Sequence, residues 1–329
     1  MVLFDTGSPL LWMASAFTSK NNSVGGCNET PAWTPSTDLP TSGRNAEFVY
    51  GSASIQGPVY SAPVIFEGQS GDGAALALDA NVVAAQVSNA CGMMGTWGVD
   101  QASDSLPQML KDSNLKGEFA VNLKMAAENT EFVPSGSITF GGQDPSVKRG
   151  EAVCVQLLPT TGGSRITPPP TSKLTKSSWW QFTLDAIKVG NKTIVETSSH
   201  EQQQGILDSG ASELELPADV VHEVYKFATS LGLTSNCSKR HEMPDIVFTM
   251  NGVDFPVRGS AYYSENCTPL FKINTVDPPG FSTVGNPFFF EYYPTFSYDD
   301  KTIQIAAKSD GNYPTGGKPV PDLPKKGCQ

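Results

Sequence analysis

The sequence predicts a mainly β protein with a few short helices, built from two similar halves. Three observations carry this. The chain of 329 residues holds 31 glycines and 25 prolines without a period, the composition of many short strands joined by turns. Short apolar runs bounded by Gly, Asn or Asp recur along its length. One pattern also occurs twice: Phe4-Asp5-Thr6-Gly7-Ser8 returns as Leu207-Asp208-Ser209-Gly210-Ala211, 203 residues on. In each copy an apolar residue precedes the aspartate, a small hydroxyl residue follows it, and glycine comes next. A short, mostly apolar pair ending in glycine follows each aspartate, 90 and 77 residues later: Met93-Met94-Gly95 and Thr283-Val284-Gly285.

Taken in order, strands are expected over 46–50, 59–66, 119–123, 137–140, 180–187, 245–250 and 302–306, where β-branched and aromatic residues concentrate. Turns between them carry Asn251-Gly252 and Asp299-Asp300. Helical signals are few. Residues 106–110 make one or two turns. Residues 217–231 read better as a helix, with Pro217 at the start, Asp219 and Glu223 early, apolar Val220, Val221, Val224 and Phe227, and Gly232 as a stop. The stretch 159–178, with Pro168-Pro169-Pro170, reads as a linker or surface loop, and 311–329 as a polar, Pro-rich tail. The expected division is an N-terminal lobe over 1–150, a C-terminal lobe over 151–310 and the tail over 311–329.

Composition narrows the chemistry. Lys plus Arg number 22 against 33 Asp plus Glu, a net charge of −11 that would repel phosphate backbones, so no nucleic acid partner is expected. No run of 18 apolar residues exists, and the longest candidate, 74–85, is broken by Asp79 and Asn81, so no membrane span is expected. Three histidines and no Cys-x-x-Cys leave a metal site little to build on. Gly-x-Ser-x-Gly, His-Glu-x-x-His and Gly-x-Gly-x-x-Gly are all absent, which removes support for serine hydrolase, zincin and dinucleotide-binding readings. No cofactor is expected. Six widely spaced cysteines and five Asn-x-Ser/Thr triplets (Asn21, Asn28, Asn191, Asn236, Asn266) point to a disulfide-bonded glycoprotein that is secreted or endo-lysosomal/vacuolar. No signal peptide is visible, because Met1 is followed at once by Val2-Leu3-Phe4-Asp5.

A lone Asp-Thr-Gly is ordinarily a turn. Two copies in matching contexts, one per half, are different. Two carboxylates brought together across a pseudo-two-fold axis cannot both ionise freely, so they share a proton. The charged one can take a proton from a water while the protonated one polarises a carbonyl, which hydrolyses an amide without a covalent enzyme intermediate. The glycines let each tight loop approach its mate, and the Thr6 and Ser209 hydroxyls can bond across the loop backbones.

On these residues the sequence resembles the pepsin-like aspartic proteases (peptidase family A1). Asp5-Thr6-Gly7-Ser8 looks like the first active-site loop and Asp208-Ser209-Gly210-Ala211 like the second. Trp12 falls where the family has the tryptophan that bonds the flap tyrosine. Phe48-Val49-Tyr50-Gly51-Ser52-Ala53-Ser54 is similar to the flap hairpin, with Tyr50 in the tyrosine position. Met93-Met94-Gly95 and Thr283-Val284-Gly285 resemble the strands that thread behind each catalytic loop. The resemblance covers about residues 1–308. It implies the bilobal acid protease fold with the active site between two pseudo-symmetric lobes. It further implies an aspartic endopeptidase of acidic pH optimum, acting as a monomer on polypeptide substrates. Asp5 and Asp208 would be catalytic, with Thr6, Gly7, Ser8, Ser209, Gly210 and Ala211 supporting the loops. Tyr50, Gly51, Ser52, Trp12 and Ser212 would contact substrate or the flap. Cys237 and Cys267 match the disulfide of the second lobe, whereas Cys27, Cys91, Cys154 and Cys328 find no assignable partners.

The sequence departs from the family pattern in places. The family carries further strands before its first catalytic loop, whereas only Met1–Phe4 precede Asp5 here, so upstream strands are expected to be missing from the chain. Ala211 stands where many members carry Thr, Ala53 where the flap has Gly, Cys91 where an Asp is usual, and Asn286 where Asp is common. None removes a catalytic carboxylate. The rival reading is a catalytically silent homologue that binds a protein or glycan through the same cleft. Taken singly, Tyr50 is an ordinary strand tyrosine, Trp12 a core residue and Trp179-Trp180 packing at the start of a strand.

Overall fold

Alternating apolar residues bounded by turn formers produce strands throughout, and the computed structural model is mostly β. It describes residues 3–8, 11–14, 33, 35–49, 54–67, 75–87, 92–95, 106–125, 135–158, 180–198, 202–233, 237–275, 281–309 and 320–328. These fall into two compact units, one within Met1–Gly117 and one within Glu118–Arg165 and Trp180–Gln329. Among the described residues no helix is long and apolar enough to cross a membrane.

The first unit contains β1 (Leu3–Asp5), β2 (Leu11–Ala14), β3 (Thr41–Val49), β4 (Ser54–Glu67), β5 (Ala75–Val87), β6 (Gly92–Gly95) and helix α1 (Leu106–Asp112). The strands form one sheet in the order β1-β6-β2-β5-β4-β3. The expected hairpin around the flap sequence has its arms in β3 and β4, with Phe48 opposite Ile55 and Val49 opposite Ser54. The interrupted apolar run 74–85 coincides with β5 from Ala75 on, and β5 pairs with β4 from Ala75 opposite Glu67 to Val83 opposite Val59. By register, buried Trp12, Ile55 and Val59 share one face of this sheet and buried Val82 and Ala84 the other.

The second unit opens with β7 (Glu118–Lys124), β8 (Ser135–Phe140) and β9 (Lys148–Gln156). Then come β10 (Gln181–Leu184), β11 (Ala186–Val189), β12 (Lys192–Glu196), β13 (Gln203–Leu207) and β14 (Leu214–Leu216). Helix α2 (Ala218–Leu231) and a 3₁₀ turn (Cys237–Glu242) lead to β15 (Ile246–Met250) and β16 (Val253–Val257). The chain continues through α3 (Gly259–Tyr262), β17 (Phe271–Ile273), β18 (Phe281–Val284), α4 (Asn286–Phe289), β19 (Tyr292–Ser297) and β20 (Thr302–Lys308). Three sheets result, ordered β10-β13-β18-β14-β17, β12-β11-β15-β16 and β8-β7-β19-β20-β9.

Several expectations are met for the stated reasons. Helix α2 buries Val220, Val221, Val224 and Ala228 and ends at Gly232 with the left-handed φ of 68°. Asn251 and Gly252 have φ of 49° and 66°, the pair a two-residue hairpin between β15 and β16 needs. The run 180–187, read as one strand, divides at Asp185, because β10 and β11 belong to different sheets. The Asp185 N–H donates to the Thr249 carbonyl (2.8 Å) and its carboxylate accepts from the Gly252 N–H (2.6 Å). The core beneath the last sheet is aromatic. Phe119 stacks on Phe296 at 5.0 Å, and Trp180 meets Phe296 at 4.9 Å and Tyr298 at 4.5 Å. Such pairs add about 0.5–1.5 kcal/mol each beyond the area they bury.

The stretch read as a linker, 159–178, lies outside the described residues, as does 311–319 of the expected tail. The remainder of that tail is not a free end. Val320 and Leu323 are buried, Lys326 bridges Val153 in parallel, and Arg149 pairs with Asp322 at 3.0 Å. Cys154 and Cys328 form a disulfide, a pairing that the spacing of six cysteines left open. Cys237 and Cys267 are bonded as the resemblance implied. Cys27 and Cys91 lie outside the described residues.

Candidate active site

The repeated Asp-hydroxyl-Gly pattern folds into the same local structure twice, once in each unit. In the first, β1 ends at Asp5 and lies parallel to β6, with Leu3 opposite Met93, Phe4 opposite Met94 and Asp5 opposite Gly95. β2 then returns antiparallel on the other side of β6, with Trp12 opposite Met93. In the second, β13 lies parallel to β18 with Leu207 opposite Val284, and β14 runs antiparallel to β18 with Glu215 opposite Thr283. Phe4 and Leu207 hold the same place before their aspartates, as Trp12 and Glu215 do after them. The register therefore repeats residue for residue. The Met93-Met94-Gly95 and Thr283-Val284-Gly285 strands lie between the two arms of each loop.

Hydrogen bonding repeats as well. The Gly7 N–H donates to Asp5 Oδ1 at 2.8 Å, and the Gly210 N–H donates to Asp208 Oδ1 at 2.8 Å. The Ser8 N–H donates to the Asp5 carbonyl at 3.3 Å, and the Ala211 N–H to the Asp208 carbonyl at 3.3 Å. Each carboxylate is thus held by the glycine two residues on, a contact that a backbone N–H makes only in a tight turn. Asp5 is buried and Asp208 half-buried. Thr6, Ser8 and Ser209 are buried, Gly210 and Ala211 half-buried, and Ser212 is exposed.

Trp12 is fully buried on β2. Tyr50, Gly51 and Ser52, the expected flap tip, lie outside the described residues.

The second loop has an anchor that the sequence gave no reason to expect. The Asn286 N–H donates to the Ala211 carbonyl at 2.9 Å. Its side-chain amide, with the NH2 turned toward the loop, donates to the carbonyls of Ala211 (3.2 Å) and Ser209 (3.0 Å). Gly285, immediately before it, touches the same loop. A Cβ there would sit 2.2 Å from the Glu213 carbonyl oxygen and 2.5 Å from that of Ala211, so no larger residue fits without moving backbone. The Asp208 N–H completes the attachment by donating to the Val284 carbonyl at 3.1 Å. The departure from Asp at 286 is legible in the sequence, but not the carbonyls it meets. Lys272 on β17 was also missed. Its Nζ lies 2.9 Å from Glu215 and 3.4 Å from Glu213, and these carboxylates, Glu215 first, hold its pKa above the ordinary lysine value.

The family model for eukaryotic aspartyl protease matches residues 1–308. The chain is 24% identical to pepsin A of Suncus murinus over 322 residues, which covers 93% of this chain and 76% of that protein. It is 25% identical to cathepsin E of Mus musculus over 329 residues (93% and 76%) and 24% identical to gastricsin of Homo sapiens over 335 residues (93% and 77%).

Proposed function

The chain belongs to the eukaryotic aspartyl protease family, and from that premise we propose that it is an aspartic endopeptidase whose catalytic pair is Asp5 and Asp208. The observation that carries this reading is the repeat itself: two loops, one per unit, with equal carboxylate-to-glycine bonds and equal strand register. A single such turn needs no chemical explanation, whereas two that present one carboxylate each suit a shared task.

The proposed reaction follows from the properties of paired carboxylates. The two groups hold one proton between them at acidic pH. The ionised member takes a proton from a water as its oxygen attacks the peptide carbonyl, and the protonated member donates to the carbonyl oxygen. The tetrahedral adduct collapses as its nitrogen is protonated, releasing amine and acid. Thr6, Gly7, Ser8, Ser209, Gly210 and Ala211 hold the carboxylates in place, with Asn286 and Gly285 as further anchors of the second loop. Tyr50, Gly51 and Ser52 would close over bound peptide with Trp12 beneath them, and Ser212 would line the cleft. The lobes are proposed as 1–150 and 151–310.

The same proposal extends to location and state. Two disulfides and the Asn-x-Ser/Thr triplets support a glycosylated protein of the secretory route, released or delivered to an acidic compartment, and the family resemblance implies a monomer. The test is cleavage of denatured haemoglobin at acidic pH with and without a statine-type inhibitor. Inhibitor-sensitive cleavage is expected. Its absence would reject the enzyme reading in favour of a silent, binding homologue.

A further inference from the structure

Cys267 belongs to two chemistries at once. It is the middle residue of the acceptor triplet Asn266-Cys267-Thr268, and it is bonded to Cys237 across a Cα–Cα distance of 5.2 Å. Asn266 and Thr268 are exposed. The triplet sits in a tight hairpin whose ends are bridged by Tyr263 and Pro269. Inside it the Ser264 N–H donates to the Thr268 carbonyl (2.9 Å), the Cys267 N–H to the Ser264 carbonyl (3.1 Å) and the Thr268 N–H to Ser264 Oγ (2.9 Å). Cys267 has the left-handed φ of 60°. Arg240, on the 3₁₀ turn that begins at Cys237, pairs with Glu265 at 2.8 Å, so a second link holds the hairpin against the segment carrying Cys237.

We propose that Asn266 is an N-glycan acceptor whose modification is possible only before the Cys237–Cys267 bridge closes, so that glycan transfer and disulfide formation compete for the same nascent hairpin. The proposal rests on the secretory reading given above. Transfer joins the Asn266 side-chain amide nitrogen to C1 of an oligosaccharide carried on a lipid diphosphate. The C1–O bond breaks, the lipid diphosphate leaves with the bonding electrons, and the amide gives up one proton. For this the triplet must enter a transferase as a free, extended strand, and here the Cys267 and Thr268 N–H groups and the Thr268 carbonyl are already committed to the turn. Closure of the bridge removes two protons and two electrons from the Cys237 and Cys267 thiols to a disulfide oxidoreductase, which leaves as a dithiol. Once that has happened the hairpin is tied at Cys267, one residue from the acceptor. A glycan added first would not prevent later closure, because the exposed Asn266 side chain is free to project outward while the Cys267 sulfur turns to Cys237.

Asn191 supplies an internal control. It is exposed in the turn between β11 and β12, its triplet Asn191-Lys192-Thr193 contains no cysteine, and no disulfide closes on that hairpin. The experiment is site-by-site glycan occupancy, measured by mass spectrometry on the full chain made in a eukaryotic secretory host, for the parent and for C237A. C237A leaves the Asn266 triplet intact while removing the bridge. Partial occupancy at Asn266 in the parent, rising severalfold in C237A with Asn191 unchanged, is the expected result. Should C237A be degraded, the parent chain made under a pulse of dithiothreitol provides the same comparison. Occupancy at Asn266 that stays constant or falls on loss of the bridge, with Asn191 glycosylated, overturns the proposal and leaves the secretory reading standing. Absence of glycan at both Asn191 and Asn266 overturns both.

Discussion

Ala211 has a methyl group where Ser8, at the matching place of the first loop, has a buried hydroxyl. A hydroxyl at 211 would donate to the carboxylate that Asp208 contributes and favour its ionised form. Ala211→Thr should therefore lower the upper apparent pKa of the catalytic pair, and the shift belongs to the pair because the two groups titrate together. A hydrogen bond to a charged group contributes about 1.5–3 kcal/mol, so after compensation by water the alkaline limb of kcat/KM should move down by on the order of one pH unit. An unmoved or upward-moving limb would show that residue 211 does not act on the carboxylate. Asn286 acts differently, through the carbonyls of Ser209 and Ala211. Asn286→Ala removes two side-chain donors of about 1 kcal/mol each and frees the loop, so kcat should fall on the order of tenfold or more with KM nearly constant. A rise in KM at constant kcat would instead assign Asn286 to substrate binding.

At the scale of elements, the strands with a clean apolar signal were legible and the polar ones were not. The expected runs 59–66 and 302–306 fall inside β4 and β20, and 46–50 coincides with β3 as far as Val49, because their own side chains specify a half-buried strand. β12 is Lys192-Thr193-Ile194-Val195-Glu196, an edge strand with charged ends, and β9 begins with Lys148-Arg149-Gly150-Glu151. Both are strands because β11 and β20 offer hydrogen-bonding partners, which no local pattern announces. In the site, the two loops and their apolar-Gly strands could be read from a repeat. The Asn286 anchor could not, since it depends on carbonyls brought near by folding. The attachment of the chain's end depends on folding in the same way. Its polar composition suits a tail, yet buried Val320 and Leu323 and the Cys154–Cys328 bond tie it to β9. That bond spans 174 residues of sequence, and closing so long a loop contributes about 5 kcal/mol by unfolded-chain entropy. Cys328→Ser should lower the thermal midpoint by roughly 10 °C, measured by calorimetry. A loss of only a degree or two would mean that the hydrophobic and ionic contacts of 320–328 hold the segment without the bond.

For the whole molecule, buried carboxyls favour folding in acid. Glu291 is fully buried beside the Arg258 guanidinium, whose Nε donates to Oε1 at 2.8 Å while Nη2 donates to Oε2. Burial raises its pKa above the ordinary 4.5, and the guanidinium only partly opposes this. Burial raises Asp245 above 3.8 in the same way. A carboxyl whose pKa is higher in the folded chain binds its proton more readily there. Its contribution to stability is therefore complete below the unfolded value and is lost as pH rises through the folded one. Glu291→Gln mimics the protonated form, so its thermal midpoint relative to the parent should improve steadily from about pH 4 to about pH 7. A relative midpoint that worsens over that range would mean that the ion pair with Arg258 outweighs burial.

The central claim is the proposal that Asp5 and Asp208 act as one catalytic group. Residues that act as a unit are non-additive when removed. The direct measurement is kcat/KM on one peptide at acidic pH for Asp5→Asn, Asp208→Asn and the double variant, each checked for an unchanged fold by circular dichroism. Each single substitution should abolish turnover, and the double variant should be no worse than either. Substantial activity in one single variant, or losses that multiply in the double, would contradict a shared site.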